Sequence, residues 1–210
     1  MIDTQRKAGS VILANLAMFD ESVVLFENEI SPAFLKAFDK VVDDFAKEES
    51  WFVVASFADD EDCCWFALPS WNMGIEDRND YSAWLAVTNY SDGDNSFYLA
   101  NLCGIGEALG FKFSVGAKHF GGVRKWNNFY LNAASDFQSA LADLGFSELK
   151  NGEFFIPITL SLEKVVQAWD DEAYDEAMQP VIDVLEKVKQ AMPIFDALIS
   201  KAKQELEVIK

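Results

Sequence analysis

The spacing of apolar residues near the start of the chain predicts helices. Residues 3–28 carry large apolar side chains at steps of three and four, which is the period of one helix face. The pattern leaves open whether this stretch is one helix or two helices that meet near Asp20. Ser31 followed by Pro32 then predicts the start of another helix, with the serine as its N-cap and the proline in its first turn.

The middle of the chain changes to short runs rich in β-branched and aromatic residues, which predict strands. The predicted strands cover residues 51–58, 63–68, 81–90, 111–117, 126–131 and 153–160. The first two are separated by a short acidic turn, so we expect them to form an antiparallel hairpin. Pro157 has no N–H to donate to a ladder and therefore predicts an edge strand.

One segment between the predicted strands is ambiguous. Residues 97–109 fit either a helix or a strand, and we favour a helix that is capped at Asn95 or Ser96 and ends at Gly110. A glycine-rich basic turn is predicted at residues 119–125.

The C-terminal region returns to a helical period over residues 161–210, with a break at Pro193 because proline interrupts the helical ladder. Together these elements predict an α+β fold. It is a mostly antiparallel sheet of about five to seven strands packed against N-terminal and C-terminal helices. We interpret residues 1–210 as a single domain and residues 161–210 as its helical C-terminal subregion.

The composition predicts a cytoplasmic protein. The longest apolar run, residues 11–19, is shorter than the roughly 20 residues of a membrane span, and Asn15 interrupts it. The N-terminal residues lack the cleavage site of a signal peptide. There are three cysteines, which cannot all pair with one another, and this favours a reducing compartment.

The charge is uneven along the chain. The sequence has 35 acids against 17 bases, a net charge of −18, which disfavours binding to nucleic acid or to an anionic membrane. Residues 51–100, which we call the acidic segment, hold nine acids and a single base, Arg78. Between Glu107 and Asp136 there is no acid at all. Two oppositely charged poles are therefore expected.

The acidic segment also holds tryptophans, and this combination suits a protein interface, because acids speed encounter with a basic surface and aromatics anchor the contact. We therefore predict a non-catalytic interaction module: a regulator, inhibitor or immunity-type partner of a basic protein. Mimicry of DNA by its acids is left open. The candidate partner-binding residues are Asp59, Asp60, Glu61, Asp62, Trp65, Trp71, Glu76, Asp77 and Trp84.

Residues 118–126, the basic segment, suggest a second kind of site. Two glycines allow close approach of the backbone, and the cations and rings suit a phosphate-bearing small ligand. The candidate anion-binding residues are Lys118, His119, Arg124, Lys125 and Trp126. A plain hairpin turn, or a patch that contacts the acidic pole of another copy in a homo-oligomer, explains the same residues.

Catalytic motifs are missing, so no catalytic residue, metal or cofactor is assigned. The chain has one histidine, His119, and neither a nucleophile elbow nor a Walker A sequence. We place the histidine on a surface turn, where no carboxylate would position it. A metal-dependent nuclease or phosphoesterase is the enzymatic alternative, with Asp59, Asp62 and Glu148 as candidate ligands and Lys150 as the supporting cation.

Overall fold

A six-stranded antiparallel sheet is the centre of the computed structural model, which describes residues 3–59, 63–74, 80–91, 97–133 and 135–206. The strands are β1 (Phe52–Ala55), β2 (Cys64–Ala67), β3 (Ala83–Asn89), β4 (Leu109–Val115), β5 (Ser147–Lys150) and β6 (Glu153–Ile158). They lie in the order β1-β2-β3-β4-β6-β5, and every neighbouring pair is antiparallel. The predicted α+β fold and the predicted β1–β2 hairpin are confirmed.

Helices from both ends of the chain cover one face of this sheet. The α-helices are α1 (Asp3–Ala14), α2 (Leu16–Leu25), α3 (Ser31–Glu48), α4 (Tyr98–Leu102), α5 (Val123–Ala133), α6 (Ser135–Asp143), α7 (Leu162–Asp171) and α8 (Gln179–Glu205). Phe38 of α3 contacts Phe111 of β4, and Phe195 of α8 stacks on Phe113 with 4.0 Å between ring centroids. Apart from Phe155, the buried apolar residues of the described chain form one cluster that runs from Phe34 to Ala202.

The two faces of the sheet differ because side chains alternate along each strand. In β3, Ala83, Leu85 and Val87 are buried, whereas Trp84 and Ala86 are half-buried. We call the helix-covered side the core face. The other side, the open face, is defined by Trp65, Trp84, Ala86 and Lys112, which the strand registers place together and which all remain partly exposed.

The N-terminal helices break at a different residue from the one expected. The chain bends by 90° at Asn15, whose side-chain amide donates to the carbonyl of Val11 at 2.9 Å, rather than near Asp20. Among the described residues no single helix is both long and apolar enough to cross a membrane; this bent pair, residues 6–14 with 16–48, meets that test only as a pair.

α3 begins at Ser31 with Pro32 in its first turn, as predicted, but Ser31 is not the N-cap, which corrects that part of the prediction. Its backbone is helical and its side chain makes no cap hydrogen bond, so α3 continues the path of α2. A π-helical turn, Phe26–Ile30, joins the two helices. Pro32 has no N–H to donate to the preceding turn. The wider π-helical turn lies just before it, so the chain stays helical from α2 into α3.

Residues 126–131 are helical rather than a return strand. They belong to α5, which buries Trp126, Phe129, Tyr130 and Ala133 at helical spacing. A 3₁₀ helix, Ala117–Phe120, and two glycines with positive φ precede α5 in place of the predicted hairpin turn.

The segment 97–109 contains only the short helix α4, and β4 begins at Leu109. Gly110 is therefore a strand residue opposite Pro157, not a helix end, and a Cβ at position 110 would overlap the carbonyl of Ile156. Asn95 and Ser96 lie outside the described residues.

Pro157 was expected to mark an edge strand and Pro193 to break a helix, and neither expectation is met. Pro157 lies in β6, which runs between β4 and β5, so the predicted edge strand is wrong. β5 pairs with β6 only as far as Phe155. Pro157 therefore has a partner in β4 but none in β5. Pro193 lies inside the continuous helix α8 on its solvent side, where water can satisfy the carbonyl of Lys189.

Candidate binding surface

A pocket of about 500 Å³ opens on the open face of the sheet. Its lining residues are Trp65, Asp80, Tyr81, Trp84, Ala86, Gly116 and Lys118, and we call it the aromatic pocket. They come from β2, from β3 and the residues before it, and from the residues that follow β4. Antiparallel pairing brings these segments together although they are far apart in sequence.

The walls of the pocket are aromatic rings that the sheet holds in place. Trp65 lies opposite Ala86, so Trp84 is its diagonal neighbour on the same face, and the small alanine leaves the space between the two indoles open. Tyr81 packs edge-on against Trp65 with 5.5 Å between ring centroids, and Phe52 contacts both rings at 5.1 Å. The packed rings fix the shape of the pocket before anything binds.

A carboxylate with two basic neighbours lies at the rim. Asp80 Oδ1 is 2.7 Å from Lys118 Nζ and 3.1 Å from His119 Nε2. The hydrogen bond from Lys118, helped by the charge of that residue, lowers the pKa of Asp80 below its ordinary value. The register explains the pairing: Ala83 lies opposite Val115, and the Gly116 N–H donates to the Ser82 carbonyl at 2.9 Å, which carries Asp80 towards Lys118.

His119 is buried, which corrects the prediction of a surface histidine without a carboxylate. Only 4% of its surface is exposed, and its Nε2 faces Asp80. Its backbone N–H donates to the Gly116 carbonyl at 2.9 Å. Gly116 is needed here because a Cβ at that position would lie 3.0 Å from the imidazole Cδ2. The buried imidazole thus lies close to Asp80, although its Nε2 has no hydrogen-bond partner among the described residues.

The candidate partner-binding residues separate into three groups. Trp65 and Trp84 line the aromatic pocket, and Asp59 is exposed in the turn after β1. Trp71 is fully buried and its Nε1 donates to Asp196 Oδ1 at 2.8 Å, so it cannot reach a partner in this structure. The remaining candidates lie outside the described residues: Asp60, Glu61, Asp62, Glu76 and Asp77.

Asp39 of α3 organises the start of the acidic turn, a role that the sequence analysis missed. Its carboxylate accepts hydrogen bonds from the backbone N–H groups of Phe57 at 2.9 Å and Ala58 at 2.8 Å. Burial raises the pKa of Asp39 above its ordinary value, partly offset by these two bonds. An aspartate at a position of the apolar face of α3 is the signal that could have indicated this contact.

The candidate anion-binding residues do not form one cradle. His119 and Trp126 are buried, and the Trp126 Nε1 donates to the Asn151 carbonyl at 2.7 Å. Lys118 is joined to Asp80, and Arg124 and Lys125 are exposed on the first turn of α5. The five residues lie apart because the segment folds as a 3₁₀ helix followed by α5, which buries the rings of His119 and Trp126.

The candidate metal ligands are also far apart. Asp59 follows β1 and Glu148 lies on β5, and these strands form opposite edges of the sheet, about 24 Å apart at ~4.8 Å for each of the five spacings. Glu148 accepts a hydrogen bond from Gln138 Nε2, and Lys150 is exposed. Asp62 lies outside the described residues, and within the described part of the chain no three histidine, cysteine or acidic side chains converge on one point.

Comparison of the chain with protein-family models, with curated proteins and with solved structures found no match in any of the three.

Proposed function

We propose that the protein is a non-catalytic interaction module that holds a cationic side chain of a basic partner in the aromatic pocket. The single observation that supports this is the pairing of Asp80 with Lys118 at the rim of a pocket walled by Trp65 and Trp84. The protein's own ammonium group already occupies the position that a partner's lysine or arginine would take. A partner cation would replace Lys118 at the carboxylate and slide between the indoles.

The chemistry of the walls favours a cation over an anion. Tryptophan rings attract ammonium and guanidinium groups through the negative face of their π system, and the attraction grows when water is excluded. Arginine suits the pocket best because its planar group stacks on a ring and still donates two parallel hydrogen bonds to one carboxylate. The pocket volume of about 500 Å³ leaves room for such a side chain.

The charge of the whole molecule supports the same class of partner. A net charge of −18 attracts a basic surface and speeds its encounter with the pocket. Lys118 has a side chain that is 73% exposed, so its displacement into water costs little. The alternatives have less support, because their candidate residues lie apart from one another in the described structure.

The test is calorimetric titration with a peptide of alternating arginine and glycine, and with the same peptide carrying neutral citrulline in place of arginine. We expect the arginine peptide to bind at least tenfold more tightly, a difference of about 1.4 kcal/mol. Trp65→Ala and Asp80→Asn should each weaken arginine-peptide binding about tenfold. Lys118→Ala should strengthen it, because the competing cation is gone.

Trp169→Ala is the matched control, since Trp169 is a half-buried tryptophan on α7 that does not line the aromatic pocket. Its affinity for the arginine peptide should equal that of the parent protein. Equal binding of the arginine and citrulline peptides, or an Asp80→Asn variant with parental affinity, would contradict the proposal.

A further inference from the structure

The N-terminal arm, which we define as residues 6–25, exposes an unusual amount of apolar surface. None of these residues is buried. Of the 15 large apolar side chains that are exposed among the described residues, eight lie in this arm. They are Val11, Ile12, Leu13, Leu16, Met18, Phe19, Val24 and Leu25. Contiguous apolar surface of this size on a folded protein marks an interaction site.

The arm stands apart from the rest of the molecule. The helical path that begins at Leu16 has its first buried residue at Phe34, so the preceding turns extend beyond the core. α1 contacts α2 across the bend, and α2 continues into the π-helical turn. The arm therefore offers two short helices at 90° to each other with no core of their own.

The apolar residues surround α2 rather than forming one stripe. Leu16 and Met18 point to nearly opposite sides of the helix at about 100° per residue, and both are more than half exposed. A surface helix of a single domain has one polar face, whereas a helix that is apolar all round is enclosed by other protein or by lipid. The sequence of α2 is thus typical of a helix that is enclosed on all sides, whereas a single copy of the chain leaves it exposed.

We infer that a second copy of this chain covers the arm, so that two arms pack against each other around a twofold axis. Eight side chains at their observed exposure offer on the order of 700 Å² per arm, so burial of most of this area on two arms would reach the lower end of the roughly 1,200–2,000 Å² of a stable interface. The same patch on both subunits is what a twofold interface requires.

The charges of the arm favour a second copy over a lipid surface. α1 carries Arg6, and α2 carries Asp20 and Glu21, so two arms that run in opposite directions bring opposite charges near each other. Helices that lie on membranes present lysine and arginine along their polar face, whereas both charged residues of α2 are acidic and the two bases of the arm, Arg6 and Lys7, lie together at its start. An anionic bilayer would also repel the net charge of −18.

The experiment is analytical ultracentrifugation of the full chain over a range of concentrations. We expect the parent protein to sediment as a dimer of its 23.5 kDa chain at micromolar concentration. The double variant Leu13→Glu, Met18→Glu should sediment as a monomer, because both side chains are exposed in one copy and would be buried in the dimer. Leu131→Glu, which changes a similarly exposed leucine on α5, is the matched control and should remain dimeric.

Far-ultraviolet circular dichroism checks that the double variant is folded. Its helix content should equal that of the parent, so that loss of the dimer cannot be attributed to misfolding. A parent protein that is monomeric up to about 100 μM, or a double variant that is still dimeric, would overturn the inference. So would a monomeric parent that floats with vesicles of phosphatidylcholine and phosphatidylglycerol, because the arm would then bind lipid. None of these outcomes depends on the aromatic pocket.

Discussion

The two faces of the sheet hold aromatic side chains under different conditions. On the core face, Phe111 and Phe113 are fully buried beneath α3 and α8. On the open face, Trp65 and Trp84 pack against neighbouring rings or strands and remain half-exposed. Buried rings stabilise a fold through the apolar area that they remove from water, whereas half-exposed rings leave part of that area for a partner. The aromatic residues, 14% of the chain, are thus divided between a closed core and a partly exposed surface, and the proposed function concerns only the second.

The largest effect should come from the core face. Phe113→Ala should lower the free energy of unfolding by about 3–5 kcal/mol, because it removes the ring stacked on Phe195 and leaves a cavity. Trp84→Ala on the open face should cost only about 1 kcal/mol, because its ring is already partly in water. Urea unfolding of both variants measures the difference. Equal decreases in the free energy of unfolding would contradict the assignment of Phe113 to a buried face and Trp84 to a partly exposed one.

The next effect concerns Asp39, which links the core-face helix α3 to the acidic turn. Asp39→Ala should lower the free energy of unfolding by about 2–4 kcal/mol, since two backbone N–H groups lose their acceptor. Asp43→Ala is the matched control, one helical turn away, and it should cost a few tenths of a kcal/mol because Asp43 makes only an exposed ion pair with Lys47. Urea unfolding measures both, and similar losses would contradict the assigned role.

The smallest effect is a difference in pH dependence between the two aspartates. The pKa of Asp80 is lowered in the folded protein, so its contribution to stability is present above the ordinary value of 3.8 and is lost as pH falls below it. The pKa of Asp39 is raised, so its contribution grows as pH falls through the raised pKa towards 3.8.

Thermal unfolding between pH 6 and pH 2.5, about the range in which carboxylates titrate, separates the two cases. The melting temperature of the parent should approach that of Asp80→Asn on acidification, whereas it should rise relative to Asp39→Ala over the upper part of the range. Parallel curves for the parent and both variants would show that neither pKa differs between the folded and unfolded chain.

Five of the six strands could be predicted from the sequence because their aromatic and β-branched residues are a local signal. The edge strand β5 was not predicted, because its residues are mostly polar and exposed. The helix α5 could not be predicted either, because the six residues 126–131 are too short to distinguish the two periods. Trp126, Phe129 and Tyr130 stand at helical spacing and Ala133 continues it, but so short an aromatic-rich run also has the composition of a strand. Pro32 correctly indicated the start of α3, whereas Pro193 suggested a break in α8 that the exposed side of the helix avoids.

The candidate site was predictable only in part. The tryptophans of the acidic segment drew attention to Trp65 and Trp84, but residue type does not separate them from the buried Trp71. The contact of Asp80 with Lys118 depends on the register between β3 and β4, which no short stretch of sequence encodes. The exposure of the arm likewise depends on where the core ends, and that is a property of the whole fold.

Gly110 has a consequence for how this sequence can vary. A methyl group there would occupy the place of the Ile156 carbonyl, which is rigid backbone, and β4 and β6 would have to separate. The position therefore tolerates no side chain, although its neighbours along β4 can exchange one apolar residue for another of similar volume. Among sequences that descend from this chain, the pairing of β4 with β6 should therefore be marked by an invariant glycine at this position.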